Sequence, residues 1–327
     1  MEMQRVAVVG AGAIGGWLAG ALAGAGADVS LLARGPTLKA LQEHGLRTRH
    51  GQRETTHRLK AHHEARALGP QDLVVLAVKA PALAAVAPQV RALLGPDTVV
   101  LTAMNGVPWW FLHGLNSPLR QRSLHSVDAT GGIAAAIPPG RVIGGVVHAS
   151  CSVDAPGVVR QHFGNKLIVG EPDGEDTPRL LALAALLRRA GLEVEVSPRI
   201  QRDIWFKLWG NMTMNPISAL TGATTDRILG DPDVRALVSA VMLEARAIGE
   251  KIGLPIEQEP EDRHAVTLKL GAFKTSMLQD VEAGRPVELD ALLGAVIELG
   301  QLTTTAMPFT RALMGLARVH AQVRGLY

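Results

Sequence analysis

A short apolar strand that runs directly into a glycine-rich turn constrains the fold of this chain more than any other feature. Residues 6–15 read VAVVGAGAIG, four apolar residues followed by the pattern GxGxxG, and helix-forming sequence comes next. In such a unit the first glycine permits a tight turn, the second lets a pyrophosphate approach the backbone, and the third allows close packing of helix on strand. The N-terminus of the helix adds positive potential. The motif predicts a dinucleotide site formed by Gly10, Ala11, Gly12, Ala13, Ile14 and Gly15.

The end of the second predicted strand indicates which dinucleotide is bound. It reads Ala33-Arg34-Gly35, whereas binding of the ribose 2′-hydroxyl of NAD(H) calls for an acidic residue there. The guanidinium of Arg34 instead suits a 2′-phosphate, so we predict NADP(H) as the cofactor. Two alternatives stay open at this point: a chance match in a chain with 35 glycines, and an S-adenosylmethionine site of a methyltransferase.

Apolar runs and helical stretches alternate through the first part of the chain. Strands are predicted at 6–9, 29–33, 73–78 and 98–102, and helices at 13–26, 36–44 and 81–94. Continuous apolar strands separated by helices predict a parallel sheet covered on both faces, which is the doubly wound Rossmann-type architecture. A polar hairpin is predicted at 46–56, and further strands at 141–151, 157–163, 167–170 and 192–196 flank a helix at 180–190.

The character of the sequence changes near residue 198. Beyond it, helical periodicity dominates and no convincing strand is found. We therefore predict an α/β protein with two domains: an NADP-binding Rossmann-type domain over residues 1–197 and an all-helical substrate and catalytic domain over residues 198–327.

Composition excludes several classes of protein. The formal net charge is +3 and basic residues are scattered, so no nucleic-acid partner is expected. Cys151 is the only cysteine, which suits a reducing compartment, and the sequence predicts neither a signal peptide nor a membrane span. We expect a cytoplasmic protein. Histidines cluster in and near the polar hairpin but lack acidic partners, so a solvated surface is predicted rather than a metal site.

A polar stripe lies on an otherwise apolar helical segment of the second domain. Lys207, Asn211 and Asn215 recur every four residues, which places them on one face of a helix. Apolar neighbours would partly desolvate Lys207, lowering its pKa and making it a better proton donor near neutral pH. The alternative for each residue alone is structural: Lys207 reaches solvent, and Asn215 ends the helix before Pro216.

Four further residues are candidates by position. Lys79 and Asn105 follow predicted strands at the carboxyl edge of the sheet, where ligands of such folds bind. Ser276 could hold a substrate carboxylate, and Glu288 could orient Lys207 or a substrate hydroxyl. Lys79, Asn105 and Ser276 also have plain structural interpretations, because strand-end lysines are commonly exposed, Asn-Gly is a common turn, and Ser276 taken alone is an ordinary helix serine.

Together these elements resemble the ketopantoate reductase (2-dehydropantoate 2-reductase) family across nearly the whole chain. The matching pieces are GAGAIGG at 10–16, Arg34-Gly35, Val78-Lys79-Ala80, Asn105-Gly106, WFKL at 205–208 with Asn211 and Asn215-Pro216, SMLQD at 276–280, and Glu288-Leu289-Asp290. The family fold is a Rossmann domain followed by a helical domain, which agrees with the predicted boundary.

The resemblance implies a reaction and a role for each residue. Lys207 is expected to be the general acid that protonates the substrate carbonyl, and Glu288 the carboxylate that supports it. Asn105, Asn211, Asn215 and Ser276 are expected to contact substrate, and Lys79 to lie at the nicotinamide. The implied reaction is NADPH-dependent reduction of 2-dehydropantoate to pantoate in pantothenate biosynthesis. Helical C-terminal domains of this sort often pair, so we expect a homodimer.

Three departures from the family pattern bear on the substrate. Leu293 replaces the usual Asn, Phe273 stands where some members have a polar side chain, and Trp109-Trp110 follow Asn105-Gly106 in place of a less bulky loop. They predict a more apolar pocket. A dehydrogenase for a bulkier apolar 2-oxo acid and a non-catalytic NADP(H)-binding regulator therefore stay as alternatives.

Overall fold

A computed structural model describes residues 3–327, which form two compact units. The sheet unit comprises residues 3–104 and 131–203, and the helical unit comprises residues 105–130 and 204–327. These units differ from the predicted boundary at 197/198 in two respects, because residues 105–130 lie in the helical unit and residues 198–203 lie in the sheet unit. As a division of function the boundary stays a prediction.

The sheet unit is built on ten strands that form a single sheet. They are β1 Arg5–Val9, β2 Asp28–Leu32, β3 Leu46–His50, β4 Arg53–His57, β5 Lys60–His62, β6 Gln71–Leu76, β7 Leu94–Thr102, β8 Val142–Ala155, β9 Val158–Gly170 and β10 Glu193–Val196. Their order is β4-β3-β9-β8-β7-β6-β1-β2-β5, with β10 paired to β9. The short strand β5 was not expected from the sequence.

Parallel pairing holds the centre of the sheet together. Strands β2, β1, β6, β7 and β8 pair in parallel, and their Val/Leu/Ile side chains are almost fully buried, as expected for strands covered on both faces. The antiparallel extension is formed by β8 and β9, and the polar hairpin by β3 and β4. The predicted α/β fold with a Rossmann-type sheet is confirmed.

The helices of the sheet unit are α1 Ala13–Gly24, α2 Gly35–His44, α3 Ala80–Val90, α4 Gly132–Ala136 and α5 Pro178–Arg189. Helix α1 approaches the hairpin closely because it carries glycines on that face. A Cβ atom at Gly20 would lie 2.6 Å from the Thr48 methyl carbon, and one at Gly16 would lie 2.6 Å from Val159. The backbone of α1 therefore packs directly on β3 and β9.

The helical unit contains seven α-helices within the described residues. They are α6 Ile200–Thr221, which begins in the sheet unit, α7 Thr225–Gly230, α8 Pro232–Lys251, α9 Pro260–Leu268, α10 Ser276–Glu282, α11 Ala295–Leu302 and α12 Pro308–Val323. A five-residue π-helical turn, Asp290–Gly294, precedes α11. No helix within residues 3–327 is both long and apolar enough to cross a lipid bilayer.

Residues 105–130 join the helical unit through polar and aromatic contacts. The carboxylate of Glu298 on α11 accepts hydrogen bonds from the backbone N–H groups of His125 and Ser126, both at 2.8 Å. The ring of Phe111 lies 6.0 Å from that of Trp205 on α6, measured between centroids. These contacts place Asn105 on the helical unit.

Candidate active site

The glycine turn after β1 has no room for larger side chains. Gly10 adopts a φ of +101°, and a Cβ atom there would lie 2.8 Å from Val78 and 2.9 Å from the Ala77 carbonyl oxygen. A Cβ atom at Gly15 would lie 1.8 Å from the carbonyl oxygen of Gly10. Both positions therefore require glycine, as the motif predicted.

Gly12 differs from these two because it faces open space. It is the N-cap of α1, no side chain caps that helix, and a Cβ atom at Gly12 would meet nothing within 4 Å. The first N–H groups of α1 are thus reachable by an anion, and the helix dipole favours one there. This turn has the space and the donors that a dinucleotide pyrophosphate requires.

Arg34 and Lys79 share the carboxyl edge of the sheet with Gly10. Val9 lies in parallel register with Leu32 of β2 and with Leu76 of β6, so the residues that follow these strands share that edge. Arg34 is exposed and is the N-cap of α2, while Lys79 is half-buried and is the N-cap of α3. Strand β6 ends at Leu76, earlier than the predicted Val78.

Lys207 occupies the middle of α6 and is largely enclosed by protein atoms. Burial lowers the pKa of its ammonium group to about 8. The negative charge of Glu288 opposes this shift, and the positive charge of Arg263 adds to it. A lysine with this pKa is mostly protonated at neutral pH yet gives up its proton readily, which suits a general acid.

Asn211 and Asn215 continue the polar stripe of Lys207 on the same helix. Asn211 is half-buried and Asn215 is buried. The structural alternative for Asn215 is wrong, because α6 continues through Pro216 to Thr221. The three side chains therefore follow one face of a continuous helix, with an amide one and two turns beyond the ammonium group.

Glu288 and Asn105 lie on neighbouring segments. The backbone N–H of Val107 donates to the carbonyl oxygen of Ala291 at 2.9 Å, three residues beyond Glu288. A Cβ atom at Gly106 would lie 2.7 Å from that of Ala291, so the two segments are in direct contact. The π-helical turn at this contact is a feature often found at functional sites.

Ser276 is exposed and is the first residue of α10. The hydroxyl of Thr275, not that of Ser276, caps this helix by accepting a hydrogen bond from the Leu278 N–H at 3.2 Å. The Ser276 hydroxyl is therefore not needed for capping. Its predicted contact with a substrate carboxylate stays a prediction.

The departures from the family pattern differ in exposure. Leu293 is fully buried, and Trp109 and Trp110 are 6% and 1% exposed. Phe273 is partly exposed, and its carbonyl oxygen accepts a hydrogen bond from the Thr225 N–H. Of these side chains, Phe273 offers the most surface to a ligand.

Sequence reasoning missed Arg263 on α9. Its guanidinium carbon lies 5.2 Å from the centroid of the Phe206 ring and its charge acts on Lys207. The contact joins helices more than fifty residues apart in sequence, so no local pattern reveals it. Within residues 3–327, no group of three or more His, Cys, Asp or Glu side chains could hold a metal ion.

Comparison with known families covers most of the chain. A family profile described as ketopantoate reductase PanE/ApbA matches residues 6–174, and one described as ketopantoate reductase PanE/ApbA C terminal matches residues 199–321. A 2-dehydropantoate 2-reductase of Mesorhizobium japonicum is 46% identical over 325 residues, covering 99% of this chain and 100% of the relative.

Solved structures with the same fold cover the whole length. The crystal structure of a candidate ketopantoate reductase from Ralstonia solanacearum is 54% identical, superposes with a TM-score of 0.96, and covers 100% of both chains. A D-mandelate dehydrogenase in a ternary complex with NADH and anilino(oxo)acetate is 21% identical, with a TM-score of 0.83 and coverage of 98% and 99%. The latter likeness is one of fold.

Proposed function

This chain belongs to the ketopantoate reductase family and is an oxidoreductase, and we propose that it uses NADPH to reduce the keto group of a 2-oxo acid. The names of its homologues support 2-oxo acid reduction. The observation that carries the proposal is the enclosed Lys207, whose pKa is lowered to about 8 by burial, with the charge of Glu288 opposing the shift and that of Arg263 adding to it.

NADP(H) is the proposed cofactor, bound by the sheet unit. Its pyrophosphate would lie at the turn of residues 10–15, where the open side of Gly12 and the N-terminus of α1 support the assignment. Exposed Arg34, which has no ion pair with any residue in 3–327, would bind the 2′-phosphate, and Lys79 and Asn105 would lie toward the nicotinamide. When bound, NADPH supplies hydride to the carbonyl carbon.

Lys207 is the proposed general acid. It donates its proton to the carbonyl oxygen as negative charge develops there, and its lowered pKa makes that donation favourable near neutral pH. The carboxylate of Glu288 keeps enough negative potential at the ammonium to hold the proton until substrate arrives. Asn105, Asn211, Asn215 and Ser276 are the proposed substrate contacts.

The proposed substrate is 2-dehydropantoate, which would be reduced to pantoate in pantothenate biosynthesis. The partly exposed Phe273 favours the second candidate, a dehydrogenase for a bulkier apolar 2-oxo acid. The cytoplasmic location predicted from the sequence stays a prediction.

Turnover of a substrate panel tests this function. The purified chain is mixed with NADPH and, separately, with 2-dehydropantoate, branched 2-oxo acids and aromatic 2-oxo acids, while the NADPH absorbance is followed. We expect the highest kcat/KM with 2-dehydropantoate. A higher value with the aromatic compounds would favour the second candidate. If none of these compounds were reduced although NADPH still bound, the result would contradict catalysis and favour a non-catalytic NADP(H)-binding protein.

We propose that the protein is a homodimer formed through α12. The outer face of this helix exposes Phe309 (47%), Leu316 (64%), Val319 (59%) and Val323 (83%). Phe309, Leu316 and Val323 are seven residues apart, the spacing of a coiled-coil seam, and the opposite face of α12 packs on its own unit. Phe309 and Val323 lie at equal distances in sequence from Leu316, so an antiparallel pair places Phe309 of one copy against Val323 of the other.

Light scattering during size-exclusion chromatography tests the dimer. We expect a dimer for the native chain and a monomer for Leu316→Glu, with Leu181→Glu as the control at another exposed leucine. A native monomer, or a dimer that survives Leu316→Glu, would contradict the assignment to α12.

A further inference from the structure

An arginine without a carboxylate partner lies beside the general acid. Arg263 is half-buried on α9, and its Nε is fully buried without a hydrogen-bond acceptor among residues 3–327. Within the same range, no Asp or Glu forms an ion pair with it, and the Phe206 ring covers one face of the guanidinium. Arginines enclosed in this way are normally paired with an anion.

Helix α6 leaves space for this guanidinium. A Cβ atom at Gly210 would lie 2.9 Å from the Arg263 Nε and 3.0 Å from its Nη2, so even alanine would press on the group. Gly210 lies three residues after Lys207, which is about 4.5 Å along the helix axis. The guanidinium is therefore held against the same stretch of α6 that carries the ammonium.

The local charge balance calls for an anion. The charge of Glu288 raises the pKa of Lys207, and that of Arg263 lowers it. The enclosed guanidinium of Arg263 therefore adds a positive charge near the ammonium, and no carboxylate within residues 3–327 forms an ion pair with it. The reaction proposed above brings one anionic group of fixed position, the carboxylate bonded to the keto carbon.

We infer that Arg263 binds the carboxylate of the 2-oxo acid while Lys207 contacts the adjacent keto oxygen. This assignment rests on the proposed function and deepens it, because it makes Arg263 the residue that selects 2-oxo acids over neutral ketones. The planar guanidinium matches a carboxylate with two parallel hydrogen bonds. The packing of the guanidinium on Phe206 and Gly210 fixes its orientation before substrate arrives.

Paired acid and amide substrates test the selection. Arg263→Gln, Arg263→Lys and the native chain are assayed with NADPH and a 2-oxo acid, then with the amide of the same compound. For Arg263→Gln we expect kcat/KM for the acid to fall roughly 10- to 100-fold, the range that a charged hydrogen bond supplies. The amide value should change less than about threefold, and Arg263→Lys should retain part of the acid activity.

Controls separate binding from structure. Arg235→Gln removes a partly exposed arginine of α8 that pairs with Glu261, and it should leave kcat/KM for both substrates unchanged. Because Arg263 has no carboxylate partner in residues 3–327, its loss should leave the melting temperature unchanged or raise it. If Arg263→Gln lowered kcat/KM equally for the acid and the amide, the inference would be overturned. A melting temperature several degrees lower in the same variant would then indicate a structural role for Arg263.

Calorimetry separates this inference from the proposed function. Binding of a non-reactive 2-hydroxy acid in the presence of NADP⁺ is compared between the native chain and Arg263→Gln. Loss of binding in the variant supports the role of Arg263 whether or not the panel of substrates turns over. Native turnover together with unchanged acid binding in Arg263→Gln overturns this inference and leaves the proposed function standing.

Discussion

The carbonyl oxygen of Gly10 lies against the position that a side chain on Gly15 would occupy, 1.8 Å from an added Cβ atom. The obstructing atom belongs to the backbone, so it can yield only if the turn itself moves. We predict that Gly15→Ala weakens NADPH binding at least about tenfold, because the turn that receives the pyrophosphate is displaced. Fluorescence titration with NADPH measures this.

Gly24→Ala is the matched control on the same helix. A Cβ atom at Gly24 would meet nothing within 4 Å. Alanine is a better helix former than glycine by up to about 1 kcal/mol, so this variant should be as stable as the native chain or more so, with unchanged affinity for NADPH. Equal affinities for Gly15→Ala and Gly24→Ala would count against a cofactor site at this turn.

Arg34 is expected to decide between the two nicotinamide cofactors. Arg34→Gln should weaken NADPH binding by roughly 10- to 100-fold, because a charged hydrogen bond to the 2′-phosphate is lost, and should leave NADH binding nearly unchanged. Arg66→Gln, at another exposed arginine of the sheet unit, is the control. If Arg34→Gln weakened the binding of NADPH and NADH equally, Arg34 would not be the residue that binds the 2′-phosphate.

Lys207 is expected to cost stability. Its pKa falls from 10.5 in the unfolded chain to about 8 in the folded protein, so folding disfavours the charged form by up to about 3 kcal/mol. This cost is complete below pH 8, declines between pH 8 and 10.5, and is absent above. Lys207→Met should therefore raise the free energy of unfolding by about 1–3 kcal/mol at pH 7.

Denaturant unfolding at two pH values checks this sign. The gain of Lys207→Met should shrink as the pH rises from 7 toward 10, whereas Lys269→Met, at an exposed lysine, should show no such trend. A loss of stability in Lys207→Met at pH 7 would mean that the ammonium is well paired in the folded protein.

Glu298 is expected to hold the segment of Asn105 in place. Glu298→Gln leaves one of the two backbone N–H groups of His125 and Ser126 without its acceptor, which should cost about 1–2 kcal/mol of stability. Hydrogen exchange at residues 117–126 should accelerate. Glu250→Gln, at an exposed glutamate of α8, is the control, and equal exchange in both variants would contradict the role of Glu298.

Local patterns predicted most of the sheet unit. Each predicted strand and helix there has a counterpart, because continuous apolar runs and helical periodicity are decided by neighbours in sequence. One error there has a non-local cause. Strand β9 runs unbroken over Val158–Gly170, whereas two strands were predicted at 157–163 and 167–170. Its pairing with β8, which is irregular in register, joins the two segments, and a pairing partner is not visible in local sequence.

The candidate site was predicted only in part. Lys207 and the glycine turn carry strong local signals, namely a polar stripe on an apolar helix and GxGxxG. Arg263 carries none, since its significance depends on the packing of α9 against Gly210 of α6. The assignment of residues 105–130 to the helical unit likewise depends on Glu298, more than 170 residues from the backbone groups that it binds.

The pH dependence of kcat/KM for 2-oxo acid reduction tests the central claim most directly, because it reports the ionisation of the free enzyme's acid. Because the pKa of Lys207 is about 8, kcat/KM should be independent of pH below pH 8 and should fall tenfold per pH unit above it. In Lys207→Ala the fall above pH 8 should disappear and kcat should be roughly 10²- to 10⁴-fold lower, while the affinity for NADPH stays unchanged. A native profile that stays level to pH 10, or a Lys207→Ala variant with native turnover, would contradict Lys207 as the proton donor.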